Sequence, residues 1–170
     1  MSEKRFESFE EFWPFYLSEH QNATSRRLHF LGTGGFLAAT AASAVMNPVG
    51  FGAAMAGFGL VMRDAMKAEE KGPAFKHVAA MVAMPTAASP VLFPAGIVWA
   101  YGCAWVGHFL IENNRPATFK QPVWSLFADM RMFKAMASGK LWSGTNPREQ
   151  MGFDVSDVNV RDVPEVRVYS

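Results

Sequence analysis

Residues 30–62 and 78–107 of this chain contain no Asp, Glu, Lys or Arg. A helix on the surface of a soluble protein needs a charged face, whereas the bilayer interior penalises one, so two such blocks restrict the fold severely. The 50% hydrophobic content is ordinary, and mean hydropathy is close to zero, because charge crowds into the flanking segments. Segregation of this kind points to a membrane; a soluble helical bundle is the alternative, since Ala and Gly dilute both blocks. A net charge of +1 without a basic stripe gives no footprint for nucleic acid. Cys103 is the single cysteine, so no intrachain disulfide forms, and it reads as a small core residue. The polar, acidic and aromatic first 29 residues do not read as a secretory signal.

Breakers divide the chain into helices. Ser8 is an N-cap with Glu10 and Glu11 behind it, and Phe9, Phe12, Trp13, Tyr16 and Leu17 form an aromatic face. Pro14 should delay or kink this helix. Gln21-Asn22-Ala23-Thr24-Ser25 is a break, with Thr24 or Ser25 starting the next helix. Asn47-Pro48-Val49-Gly50 splits the first apolar block into two arms of roughly 15 residues, about 22 Å each. The second block breaks through Pro90 and Pro94, and Pro85 should kink its first arm. Residues 123–137 read as a helix lying on the membrane surface or the bundle, with Trp124, Phe127, Met130 and Phe133 set against Asp129, Arg131 and Lys134.

The expected fold is therefore all-α: an integral membrane four-helix bundle of two short hairpins, flanked by interfacial helices. Residues 1–142 form one membrane-embedded domain. Residues 143–170 form a polar tail, extended or disordered and without assigned chemistry. Both hairpin turns are uncharged, while every Lys and Arg lies in the N-terminal segment, the connector or the C-terminal part. The positive-inside rule places all three in the cytoplasm.

The four histidines, His20, His29, His77 and His108, lie at the edges of the apolar blocks. Two hairpins bring all of them to one membrane face. Glu112 follows His108 by one helical turn, so both can reach one ion. Imidazole and carboxylate suit iron, zinc or manganese, and an incompletely filled iron site can activate oxygen. His20 and His29, nine residues apart, converge only if the helix breaks between them, and His77 would complete a cluster. The bland reading is four satisfied interfacial groups. Neither a Gly-x-Ser-x-Gly elbow nor zinc-finger spacing occurs, and Cys103 lacks an electropositive neighbourhood.

Two segments carry a resemblance. Phe15-Tyr16-Leu17-Ser18-Glu19-His20-Gln21-Asn22, followed by Arg26 and His29-Phe30-Leu31-Gly32, resembles the N-terminal signature of a membrane family. Gly107-His108-Phe109-Leu110-Ile111-Glu112-Asn113-Asn114-Arg115-Pro116-Ala117 matches it more closely, continuing through Pro122-Val123-Trp124-Ser125-Leu126. The family comprises bacterial proteins and a fungal endoplasmic-reticulum enzyme, an Fe(II)-dependent dioxygenase that shortens 2-hydroxy fatty acids by one carbon. The resemblance covers about residues 9–142. Ala23 stands where the family pattern has proline, and His77 has no place in that pattern.

The resemblance implies Fe(II) held by His20, His29 and His108, with Glu112 as ligand or as partner of an imidazole. It implies molecular oxygen and a 2-hydroxy acyl substrate from membrane lipid. Arg26 or Arg115 could pair with the substrate carboxylate, although both also read as positive-inside charges. The expected location is a bacterial inner membrane. The rival expectation is a non-catalytic membrane protein that binds lipid or serves structure.

Overall fold

The computed structural model describes residues 6–71 and 73–153, which contain helices and no strand. Helix α1 (Phe9–Ser18) starts where Ser8 Oγ accepts the Glu11 amide, and it runs on through Pro14 rather than starting after it. Asn22 caps α2 (Ala23–Met46) by accepting the Thr24 amide at 2.8 Å. Ala23 is the first helical residue, a position where proline is favoured but not required, which explains why alanine serves there.

Asn47 ends α2 and caps α3 (Pro48–Glu69) through Gly50, with Pro48 at the helix start. Helix α4 (Phe75–Ala88) contains Pro85 and gives way at Ser89 to α5 (Leu92–Trp105). A wider π-helical segment, Val106–Glu112, prolongs α5. A short 3-10 turn (Ala117–Phe119) then leads to α6 (Pro122–Ala137) and α7 (Pro147–Gln150).

The breaks fall close to where the sequence puts them, although α2 starts at Ala23, ahead of Thr24 and Ser25, and α5 takes in Pro94; the helices are also longer than the charge-free arms. Arg26 and Arg27 lie inside α2, and Arg63, Asp64 and Lys67 lie inside α3. Two runs, Ala23–Met46 and Leu92–Glu112, are long and apolar enough to cross a membrane. Helix α4 has 14 residues. At 1.5 Å per residue that is about 21 Å, short of a hydrocarbon core of about 30 Å. Four crossings were expected; among the described residues two helices meet the requirement.

Helix α2 lies along α5, and α3 along α4. Glycine makes the first contact possible: a Cβ on Gly32 would come within 3.0 Å of Cys103 Cβ and 3.1 Å of the Ala100 carbonyl oxygen. Helix α6 packs on α1, α2 and α3. Its Trp124, Ala128, Met132 and Met136 enclose Phe12, Trp13, Tyr16 and Leu17 of α1 in the main apolar core. Each such buried large side chain contributes about 1.5–3 kcal/mol. The buried Glu69 carboxylate accepts the Val123 and Trp124 amides and so caps α6, where the helix dipole favours a negative group.

Outside this core the usual pattern is inverted. Val45 and Leu110 are 82% and 73% exposed, whereas His20, Arg26 and Glu69 are buried. Only 22% and 17% of the most apolar windows of the two long runs are buried within the protein. A soluble core helix would hide that surface.

The segment from residue 143 is ordered as far as residue 153, which corrects its reading as extended or disordered chain. Met151 and Phe153 pack on the α1–α6 core. The buried Arg26 guanidinium fixes the approach to it. Its Nε donates to Leu141 O, its Nη1 to His20 O and Gln21 O, and its Nη2 to Ser143 O and Gly144 O. The rest of the expected tail, residues 154–170, lies outside the described residues.

Candidate metal centre

His20, His29 and His108 converge. Their ring centroids are 4.5 Å (His20–His29), 4.7 Å (His20–His108) and 5.2 Å (His29–His108) apart. One ligand atom from each lies within 4.8 Å of the other two, and all three residues are buried. Three different local structures produce this meeting.

His20 follows the last turn of α1, and its Nδ1 donates to the Tyr16 carbonyl at 2.6 Å. That carbonyl lies in the helix C-terminus, where intrahelical partners run out. His29 sits in α2 just past the break, so the turn at residues 20–22 brings it back over His20. His108 occupies the π-helical segment, a distortion found often at functional sites. Its carbonyl accepts the Asn114 amide at 3.0 Å, and Asn113 closes the segment in a left-handed conformation with φ 54°. Gly107 lets this segment approach α2: a Cβ there would lie 2.9 Å from Ser25 Oγ.

The partners fix the tautomers. Asn114 Nδ2 donates to Glu19, which orients its Oδ1 toward His108 Nδ1 at 2.7 Å. His29 Nδ1 donates to Asp129 Oδ1 at 2.7 Å. The Tyr16 carbonyl, the Asn114 amide oxygen and the Asp129 carboxylate can only accept, so each Nδ1 carries its proton. Each neutral ring then offers an Nε2 lone pair. Those of His20 and His29 face each other at 3.2 Å. Two lone pairs so placed repel unless an electrophile lies between them. A separation of 3.2 Å is the chord of two metal–nitrogen bonds of about 2.1 Å meeting at about 100°. The residues therefore fit a metal ion.

A proton on His20 is disfavoured. Burial, and then His29 and His108, hold the His20 imidazole well below its ordinary pKa. Near the cluster, Glu19 is pushed the other way, to about 7, first by burial and then by Glu112.

The remaining sequence candidates lie elsewhere. Glu112 Oε1 accepts the Asn22 amide at 2.8 Å, so its carboxylate ties the π-helical segment to the start of α2. His77 Nε2, on α4, pairs with Asp64 of α3 at 2.9 Å, apart from the other three histidines. Arg26 spends all five N–H groups on backbone carbonyls, which leaves none for a substrate carboxylate. Arg115 is exposed beside the loop that holds Asn114.

The sequence reading missed Asp129. It counted as a polar-face residue of α6, set against Phe127 and Met130. Yet Phe127 is exposed, and the buried residues of α6 include Ser125, Ala128 and Met132, next to which Asp129 turns inward. Besides His29 it accepts Tyr16 OH at 3.1 Å and Thr33 Oγ1. Asn114 was also missed as a partner of His108; its place within the recognisable Gly107–Ala117 stretch was the available signal.

With this geometry in place, the class is clear: an all-α protein that gathers three histidines at the ends of apolar helices. The chain matches the Mpo1-like family, described as 2-hydroxy-palmitic acid dioxygenase Mpo1-like, over residues 6–141, and belongs to it. No curated protein and no solved structure matches the chain.

Proposed function

We propose that this protein is a membrane-embedded Fe(II)-dependent dioxygenase that shortens 2-hydroxy fatty acids by one carbon, with His20, His29 and His108 holding the metal. The observation that carries the reading is the convergence of three histidines, one ligand atom from each within 4.8 Å of the others, whose Nδ1 partners leave each Nε2 free to bind an ion. The donor set alone suits iron, zinc, copper or nickel. The family description favours iron, because its reaction consumes oxygen.

When bound by His20, His29 and His108, Fe(II) would supply oxygen activation. The protein's own groups do the rest. Tyr16, Asp129 and Asn114 hold the imidazoles in one tautomer, so no ring has to turn or lose a proton before binding. Burial of all three rings excludes bulk water from the reacting centre. Arg115, exposed next to Asn114, would pair with a substrate carboxylate, while Arg26 serves the fold. Glu112 acts by holding the π-helical segment against α2, and His77 stands outside the centre.

Helices α2–α5 lie in the bilayer as two hairpins, the shorter ones in a thinned or partly re-entrant arrangement. Helices α1 and α6 cover the metal end at the interface, and both chain ends are cytoplasmic. The apolar outer surface supports this placement, since the acyl chain of a membrane-derived substrate could reach the centre without leaving lipid.

Oxygen uptake by the detergent-purified, Fe(II)-loaded protein tests the proposal. Uptake should require 2-hydroxypalmitate rather than palmitate and should vanish in His108→Ala. A protein that holds iron yet consumes no oxygen with 2-hydroxy acids of any chain length would be the non-catalytic relative.

A further inference from the structure

We infer that Asp129 is a positioning residue that makes His29 the strongest donor of the three histidines, and that Thr33 moderates its pull. The inference rests on the metal reading above. It starts from a difference among three otherwise similar imidazoles. His20 donates to a backbone carbonyl and His108 to an amide oxygen, both neutral acceptors. His29 donates to a carboxylate at 2.7 Å. A hydrogen bond to an ionised acceptor is roughly twice as strong as a neutral one. It draws the Nδ1 proton outward and raises the basicity of Nε2, the atom that faces the metal position.

The carboxylate is itself held on several sides. Asp129 Oδ1 takes Tyr16 OH in addition to His29, and Oδ2 takes Thr33 Oγ1. His29 and Thr33 are one turn apart on α2, so the carboxylate straddles that turn. Tyr16 also packs against His20, with ring centroids 4.3 Å apart, and so links Asp129 to a second imidazole. Each hydroxyl that donates to Asp129 spreads its negative charge and weakens its hold on the His29 proton. The charge and the hydroxyls thus act on the metal in opposite directions. A carboxylate that served packing alone would show no such opposition.

Two near-isosteric variants separate these effects, with Co(II) as a spectroscopic probe titrated into the metal-free full-length protein in detergent. Asp129→Asn keeps the oxygen that takes His29 and Tyr16, and the Thr33 hydroxyl can turn to accept its amide. The charge alone is lost. Co(II) affinity should fall about 10- to 100-fold, with a shift of the visible Co(II) bands. Thr33→Val keeps the carboxylate and removes a donor to it. That variant should bind Co(II) as tightly as wild type or a few-fold tighter, its bands moving oppositely.

Wild-type affinity and spectrum in a folded Asp129→Asn protein would overturn the inference. So would weakening of Thr33→Val in parallel with Asp129→Asn, the mark of a packing role. Should Asp129→Asn fail to fold by circular dichroism, the sign of the Thr33→Val change decides. A wild type that takes up no Co(II) overturns the metal reading itself and this inference with it.

Discussion

Replacing Arg26 by lysine should destabilise the protein without weakening its affinity for substrate. The guanidinium places five N–H groups on the carbonyls of His20, Gln21, Leu141, Ser143 and Gly144 at 2.7–2.9 Å. A lysine ammonium has three donors radiating from one atom, so at least two of these bonds are lost. A hydrogen bond to a charged group is worth about 1.5–3 kcal/mol net. Partial rewetting of the orphaned carbonyls brings the loss to about 3 kcal/mol. For a chain of this size that lowers the unfolding midpoint by about 6–12 °C. Thermal unfolding of detergent-solubilised wild type and Arg26→Lys, followed by circular dichroism, measures it. The half-saturating concentration of 2-hydroxypalmitate, taken below the melting range, should stay within about twofold of wild type. An Arg26→Lys protein that melts at the wild-type temperature but needs far more substrate would refute the assignment of Arg26 to the fold.

Other expectations follow from the same geometry. His77→Ala should leave bound metal unchanged and shift stability by no more than about 1 kcal/mol, since its pair with Asp64 is largely exposed; metal content and melting point check this. Gly32→Ala should cost about 1–3 kcal/mol, because its Cβ meets Cys103 and the Ala100 carbonyl at the α2–α5 contact; an unchanged melting point would contradict that contact. Acid should destabilise the metal-free protein through His20, whose folded pKa lies below its unfolded value of about 6.5. Its contribution is fully present above pH 6.5 and is lost as pH falls. Glu19, raised to about 7 from 4.5, gains stability over part of that range, between pH 7 and 4.5. Glu19→Gln should therefore steepen the fall in melting point between pH 6.5 and 4.5, and parallel pH profiles would count against the assignment.

The helix breaks at residues 20–22, 47–48 and 89–91 were legible in the sequence, because Asn, Ser and Pro interrupt helices through backbone chemistry that tertiary contacts seldom override. The meeting of His20 and His29 was legible for the same reason. Helix length was not: Arg26 and Arg63 mark where charge begins, and helical hydrogen bonding continues past them. Arg26 read as a topological charge because a local pattern cannot show that carbonyls from residues 141–144 will surround it. Asp129 stayed hidden because α6 has two apolar faces, one toward α1 and one outward. Its periodicity therefore could not say which way a single carboxylate turns. The π-helical segment around His108 has no propensity signature, and the contacts that hold it, Gly107 on Ser25 and Glu112 on the Asn22 amide, are tertiary.

Metal content by mass spectrometry tests the central claim most directly, with wild type, His20→Ala and His108→Ala purified anaerobically in detergent. About one iron per chain in the wild type, lost in both variants while their helical content is retained, is the predicted result. A wild type that holds no metal even after Fe(II) is supplied would contradict the account and leave three buried imidazoles without the ion their geometry fits.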